Sequence, residues 1–403
     1  MPNLENAFYF QQLNKTLKSY HRSIPFLLID LNRLDQNIAI LKKNWRPETA
    51  FRIVVKSLPC VELVEYIMER TTTQNLMVFH QPFLSDLASR LGAKVDILLG
   101  KPIPVKTANH FYQTLPENDD FDAFRQVQWL VDTAERIHQY LALAKQLGRP
   151  LRLNLEIDVG LHRGGFQTVA ELSAALQVIQ TNDKHLIFTG LMGYDPHVAK
   201  LPKVIRSPQK ALQLANDFYF SCQQLIREQF PDLWSDDLTF NGAGSPTLEF
   251  HKNDYSPLND IAAGSCLVKP TTFDIPTLSE YQPACFIATP VLKKFNNTTL
   301  PALEKMKKVL NLIDAANRQS YFIYGGFWKA DYCFPKGIKQ NNLFGASTNQ
   351  TMLNISISTQ LEVDDFIFLR PHQSEFVFLQ FGRPLAIRNG EVVAEWTILN
   401  QNQ

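Results

Sequence analysis

The chain is short of cysteine, with five in 403 residues: Cys60, Cys222, Cys266, Cys285 and Cys333. None forms a Cys-x-x-Cys pair, which argues against a zinc ribbon, and an odd, scattered set suits a reducing compartment. Net charge is also missing. Lys and Arg number 40 against 39 Asp and Glu, so there is no electrostatic footprint for nucleic acid or an anionic membrane. No apolar run is long enough to span a bilayer. The N-terminal residues lack the basic stretch and long apolar run of a signal peptide. A Gly-x-Gly-x-x-Gly turn after the first strand, the mark of a doubly wound dinucleotide fold, is absent too. These absences point to a soluble, cytoplasmic protein. Its length and 45% apolar content suit two or three domains, or one large barrel with a smaller domain.

Residues 1–24 are polar and aromatic without a clear period, and are expected to pack on another part of the molecule. Ile24–Ile29 reads as a strand, and Asp30 as the N-cap of an amphipathic helix carrying Leu31, Leu34, Ile38 and Leu41. An alternation follows. Strands are predicted at 51–55, 76–80, 94–99, 128–132, 151–158, 186–191, 238–241 and 260–264, with helices such as Val61–Arg70, Pro82–Leu91, Thr133–Leu147, Val169–Gln180 and Lys210–Phe230 between most of them. Eight short strands alternating with helices predict a parallel (β/α)8 TIM barrel. After Pro270 the segments 286–292, 320–324, 352–358, 366–369, 376–381 and 392–399, with a possible helical turn near 303–312, predict a C-terminal antiparallel β domain. The expected division is 25–270 for the barrel and 271–403, with 1–24, for the β domain. The strand at 24–29 is free to join the latter, because the barrel count works without it.

In such a barrel the reactive groups sit at the C-terminal ends of the strands. Lys56 closes a β-branched run bounded by Pro47 and Pro59. A lysine there is costly to bury unless its ammonium has a partner or a reason to lose its proton. Desolvation that lowers the amine pKa frees a nucleophile for a Schiff base, although the commoner role is a snorkelling strand end. His80 ends the next strand. Arg163 follows Glu156-Ile-Asp158-Val-Gly160, where its ordinary role is an ion pair with Asp158 or Glu156. Tyr194 and His197 lie in Gly190-Leu-Met-Gly-Tyr-Asp-Pro-His197; a histidine there is either a general acid or base or a capped loop residue. In the turn Asn241-Gly-Ala-Gly-Ser-Pro-Thr247, Gly242 and Gly244 let backbone amides approach an anion, and Ser245 and Thr247 supply hydroxyl donors. The same sequence also serves as an ordinary loop. Gly264-Ser265-Cys266 ends the last strand. Reactive lysine, phosphate nest and guanidinium on one rim are what a pyridoxal phosphate enzyme needs.

These motifs together resemble the fold-type III pyridoxal phosphate enzymes, most of all the D-threonine aldolase and D-serine dehydratase group, which shares its barrel with alanine racemase. The similarity runs over about residues 20–400. It implies a barrel followed by a β domain and a head-to-tail homodimer, with pyridoxal 5'-phosphate held as an internal aldimine on Lys56. It further implies that Arg163 lies near the phenolate side of the ring, that Tyr194 and His197 line the substrate side, and that Gly244, Ser245 and the Gly264–Ser265 turn hold the phosphate.

One segment departs from the group, whose Pro-x-His-x-Cys or Pro-x-His-x-Asp sequence binds a divalent metal. Here the stretch is Arg370-Pro371-His372-Gln373-Ser374-Glu375. Read as a strand, it exposes i and i+2 on one face, pairing Gln373 with Glu375 or His372 with Ser374. Neither pair makes a good zinc site, though Glu375 can hold a harder cation such as magnesium or manganese. The metal status stays open. The expected function is a pyridoxal phosphate-dependent lyase acting on a D-amino acid, a β-hydroxy one, by retro-aldol cleavage or dehydration. Lys56 takes the α proton in a dehydratase, and His197 is the base on the β-hydroxyl in an aldolase. One alternative is an amino-acid racemase or epimerase, whose second base comes from the β domain of the other subunit, among Tyr321, Tyr324, Tyr332 and Cys333. The other is a non-catalytic cofactor-binding homologue.

Overall fold

The structure is a computed structural model that describes residues 2–115, 120–202, 204–253, 255–296, 319–341, 344–355 and 361–401. The chain divides into two compact units. One comprises residues 38–267, with 275–280 and 399–403; the other comprises 1–37, 268–274 and 281–398.

The first unit is a closed barrel of eight parallel strands: Ala50–Val54, Asn75–Val78, Asp96–Leu99, Val127–Val131, Leu151–Glu156, Leu186–Gly193, Thr239–Gly242 and Asp260–Ala263. The last pairs with the first, Ala50 opposite Asp260 and Ile53 opposite Ala263, which closes the ring. The strands form because their β-branched and aliphatic runs are buried on both faces, as parallel sheets require. The intervening helices begin where a hydroxyl can cap them. Thr133 accepts from the Arg136 amide at 3.2 Å, Thr168 from Glu171 at 3.1 Å and Ser207 from Lys210 at 3.2 Å. All eight expected strands are present, with ends displaced by at most two residues.

Inside the barrel lies a buried polar cluster that the sequence reading passed over. Arg52 is 1% exposed. Its guanidinium donates to Asp260 at 3.0 Å, to Asp96 at 3.0 Å and to the Leu76 carbonyl at 3.0 Å. Asn241 donates to the Asp260 carboxylate, and Gln128 to Asp96 at 2.9 Å. Buried charges persist when they are paired and hydrogen-bonded in this way.

The second unit holds a mixed sheet, not a purely antiparallel one. Phe26–Asp30 runs antiparallel to Cys285–Asn296, with Leu28 opposite Phe286, and parallel to Leu385–Arg388, with Leu28 opposite Leu385. Residues 1–24, read above as aperiodic, contain the helix Pro2–Ser19. Phe10, Leu13 and Leu17 recur at helical spacing and are buried with Phe26, Leu28, Phe286 and Phe368. Asp30 does cap the helix Leu31–Lys43, accepting from the Arg33 amide at 2.9 Å. The stretch 376–381, read as a strand, lies instead in and just after the helix Ser374–Phe378, because Ser374, Val377 and Phe378 share a buried face at helical spacing. The expected turn near 303–312, and residues 356–358 of the 352–358 strand, lie outside the described residues. No helix among the described residues is long and apolar enough to cross a membrane.

Candidate active site

Lys56 does not end the strand. It sits two residues past its end, in the 3-10 turn Val55–Ser57, half-buried between the buried residues Val55 and Ser57. Its ammonium lies 4.5 Å from the centroid of the Phe79 ring, a contact that lets a cation sit against apolar surface.

From this turn a run of close contacts crosses the rim. The Ser265 hydroxyl donates to that of Ser57 at 2.9 Å. The Ser245 hydroxyl accepts from the Cys266 amide at 3.0 Å and more weakly from Gly264 at 3.4 Å. A Cβ built on Gly244 would stand 2.7 Å from Cε2 of Tyr194. The Arg163 guanidinium carbon lies 5.1 Å from the Tyr194 ring centroid. Three residues beyond Tyr194, Nε2 of His197 lies 3.2 Å from where a Gly160 Cβ would stand. The structure thus draws Lys56, Arg163, Tyr194, His197, Gly244, Ser245, Gly264 and Ser265 into one arc. His80 stands at the N-cap of the helix Gln81–Leu91, outside this run of contacts, its ring against Phe83.

Glycine is required where the arc is tightest. A Cβ on Gly264 would meet the Val54 carbonyl oxygen at 2.6 Å and the Ser57 Cβ at 3.2 Å, both close to fixed backbone. Gly264→Ala is therefore expected to cost at least about 1–3 kcal/mol, the usual cost of overpacking. Gly244→Ala meets only the Tyr194 ring and should cost less. Urea midpoints of the two variants check the order.

Two expectations about side chains are corrected. The Thr247 hydroxyl is not available to an anion, because it donates to Oδ1 of Asp195 at 2.7 Å. Asp158 does not pair with Arg163. Its carboxylate instead organises the loop after the strand, accepting from the Gly160 and His162 amides at 3.0 and 2.8 Å and meeting the His162 ring at 2.9 Å. Those hydrogen bonds outweigh burial, which alone would raise it, and hold Asp158 below the usual carboxylate range. No carboxylate lies within ion-pair distance of Arg163 among the described residues.

Glu156 is different. Burial pushes its carboxyl up to about 7, Arg163 pulls it back, and Asp132 and Asp158 push it further. Between pH 4.5, the group's ordinary value, and about 7, the folded chain holds a proton that the unfolded chain has released. Stability therefore falls as pH rises through that window, by roughly 3 kcal/mol at full effect. Glu156→Gln should remove that part of the slope, and urea unfolding at a series of pH values measures it.

His197 is buried, and its Nδ1 has no hydrogen-bond partner among the described residues. Burial holds the imidazole below its usual pKa; Arg206 and His162 act in the same direction, against Asp195 and Asp158. It is therefore a neutral base with an unused nitrogen near pH 7. Ser57, Phe79 and Asp195 were missed by sequence reasoning although each adjoins a residue it chose.

In the β domain, the strand Phe366–Pro371 ends within the expected metal segment, and the helix Ser374–Phe378 replaces the i, i+2 alternation assumed for the rest of it. His372 Nε2 meets Asp331 at 2.8 Å. Among the described residues no group of three or more His, Cys, Asp or Glu side chains is placed to hold a metal ion. Of the racemase candidates, Tyr321 is fully buried, Tyr324 is 39% exposed, Tyr332 is pushed up to about 12 by burial, and the Cys333 thiol donates to the Phe368 carbonyl at 3.2 Å.

The fold defines the class: an eight-stranded parallel barrel on one chain with a mixed β domain. The family described as alanine racemase, N-terminal domain, matches residues 29–270, more than half the chain, and the chain belongs to it, within the fold-type III pyridoxal phosphate superfamily. No curated protein matches the sequence. Solved structures match closely in shape. D-threo-3-hydroxyaspartate dehydratase from Delftia sp. HT23 has a TM-score of 0.71 at 15% identity, covering 96% of this chain and 99% of its own. D-threonine aldolase from Filomicrobium marinum has 0.69 at 14%, covering 95% and 98%. Alanine racemase of Clostridium difficile 630 has 0.70 at 14%, covering 93% and 99%. At these identities the likeness establishes the fold.

Proposed function

We propose that the chain is a pyridoxal phosphate-dependent lyase acting on a D-amino acid with a β-hydroxyl. The observation that carries this reading is the unbroken arc from the Lys56 turn through Ser265, Ser245 and Gly244 to Tyr194 and Arg163. It fits the cofactor: a primary amine at one end, a turn too tight for any side chain at Gly264, a serine hydroxyl beside it at Ser245, and a guanidinium beside an aromatic ring. Bound there, pyridoxal phosphate supplies an electron sink for whichever bond breaks at Cα.

Lys56 is the amine that carries the cofactor and the group that takes the α proton in a dehydration. Gly244, Ser245, Gly264 and Ser265 hold the phosphate. Arg163 faces the ring, and Tyr194 and His197 line the substrate side. His197, neutral near pH 7, accepts the β-hydroxyl proton in a retro-aldol cleavage. The protein works as a homodimer in the cytoplasm, a setting consistent with five cysteines that are all free thiols, four of them buried.

The helix Ser374–Phe378, which removes the i, i+2 spacing expected there, favours a second reading, racemisation, which needs a base on each face of the substrate. Incubation with D-threonine, D-serine and D-alanine in deuterated water separates the readings. An aldehyde with glycine marks the aldolase, and a 2-oxo acid with ammonia the dehydratase. Deuterium at Cα with loss of optical rotation marks the racemase. A perturbed spectrum without product contradicts all three.

A further inference from the structure

We propose that Asp195 and His251 form a buried positioning pair that latches the Tyr194–His197 segment to the 243–247 turn, so that the grip on phosphate and the placement of the substrate-side residues are set together. The inference rests on the reading given above for that site. Asp195 lies between Tyr194 and His197 in the chain, just past the strand Leu186–Gly193, yet both its oxygens are engaged away from them. Oδ1 accepts from the Thr247 hydroxyl at 2.7 Å, and Oδ2 meets Nε2 of His251 at 2.6 Å. Nδ1 of His251 lies 2.9 Å from the Ser256 hydroxyl, whose oxygen accepts from the Leu258 amide at 3.3 Å. Nε2 of His251 can donate to Asp195 whether Ser256 donates to Nδ1 or accepts from it, and the polar atoms of this chain are satisfied either way. Asp195, Thr247, His251 and Ser256 are all buried.

The latch acts at both ends. Thr247 also closes the turn, since its amide and that of Leu248 donate to the Gly244 carbonyl at 2.9 and 3.0 Å. Asp195 fixes the backbone one residue after Tyr194, whose ring rests against Gly244. Burial alone would push the Asp195 carboxyl up, but His251 and Thr247 outweigh it and keep the group in its charged form. Hydrogen bonds to a buried carboxylate are stronger than neutral ones, and their loss is felt where the partner is left unpaired.

The test compares pyridoxal phosphate with pyridoxal, which lacks the phosphate, as ligands of the cofactor-free protein, followed by absorbance. The ratio of their dissociation constants reads the phosphate grip. His251→Leu should weaken pyridoxal phosphate by at least about tenfold, the scale of one hydrogen bond to a charged group, and leave pyridoxal within about twofold. His251→Gln, whose amide can still donate to Asp195, should recover most of the ratio. Thr247→Val removes one bond and leaves the pair, so it should fall between them, and it carries the comparison if His251→Leu does not fold. A lowered melting temperature with an unchanged ratio in these variants would overturn the positioning role and leave a structural one. If the unmodified protein binds neither ligand, the reading of the site fails and this inference with it.

Discussion

Lys56→Ala is expected to lower turnover of any D-amino acid that the wild-type protein processes by at least about 10²–10⁴-fold, the share of a positioned proton-transfer group. Stability should change little, because the side chain is half-buried in a turn whose own buried residues, Val55 and Ser57, remain in place. Lys56→Arg sharpens the test. Arginine keeps the charge and the contact with Phe79, but has no amine that can lose a proton near neutral pH. If Lys56 merely snorkels against Phe79, Arg restores activity; if its amine is the reactive group, both variants are inactive. A small external amine should then rescue the alanine variant better than the arginine one. Initial rates of the three proteins decide the matter.

The second large effect is on stability. Arg52→Met removes the guanidinium held by Asp260 and Asp96 and leaves the Asp260 carboxylate buried with only neutral donors. Breaking a buried pair from one side costs about 3–5 kcal/mol, measurable as a shift in the urea midpoint. Arg52→Met combined with Asp260→Asn should recover part of that loss, because the uncompensated charge is then gone. A single variant within about 1 kcal/mol of wild type would show that water or relaxation already compensates Asp260, and that the cluster is not what holds the strand beginnings together.

Arg52 also shows where sequence reasoning was thin. A charge in a buried strand needs a partner; Lys56 is half-buried beyond the strand, whereas at Arg52, four residues earlier and 1% exposed, the requirement holds in full. The barrel was legible because each strand is an apolar run bounded by a helix signal or a turn, and eight of them in alternation leave few topologies. Short apolar runs are ambiguous between strand and helix; the run 376–381 reads as a strand, yet its first three residues lie in the helix Ser374–Phe378. The helix at Pro2–Ser19 was missed because its apolar stripe, Phe10, Leu13 and Leu17, lies among polar residues with no N-cap signal. The arc at the rim was legible from strand ends alone. His251 was not, since nothing near it in sequence marks it, and only the fold brings it to Asp195, 56 residues away.

The central claim is that Lys56 carries pyridoxal phosphate. Its most direct test is the absorption spectrum of the purified protein, before and after borohydride, beside Lys56→Ala and followed by peptide mapping. The account predicts a visible band that borohydride bleaches, its absence in Lys56→Ala, and a reduced pyridoxyl group on the peptide containing Lys56. No band after addition of pyridoxal phosphate, or a band that persists in Lys56→Ala with the pyridoxyl group on another lysine, would contradict it.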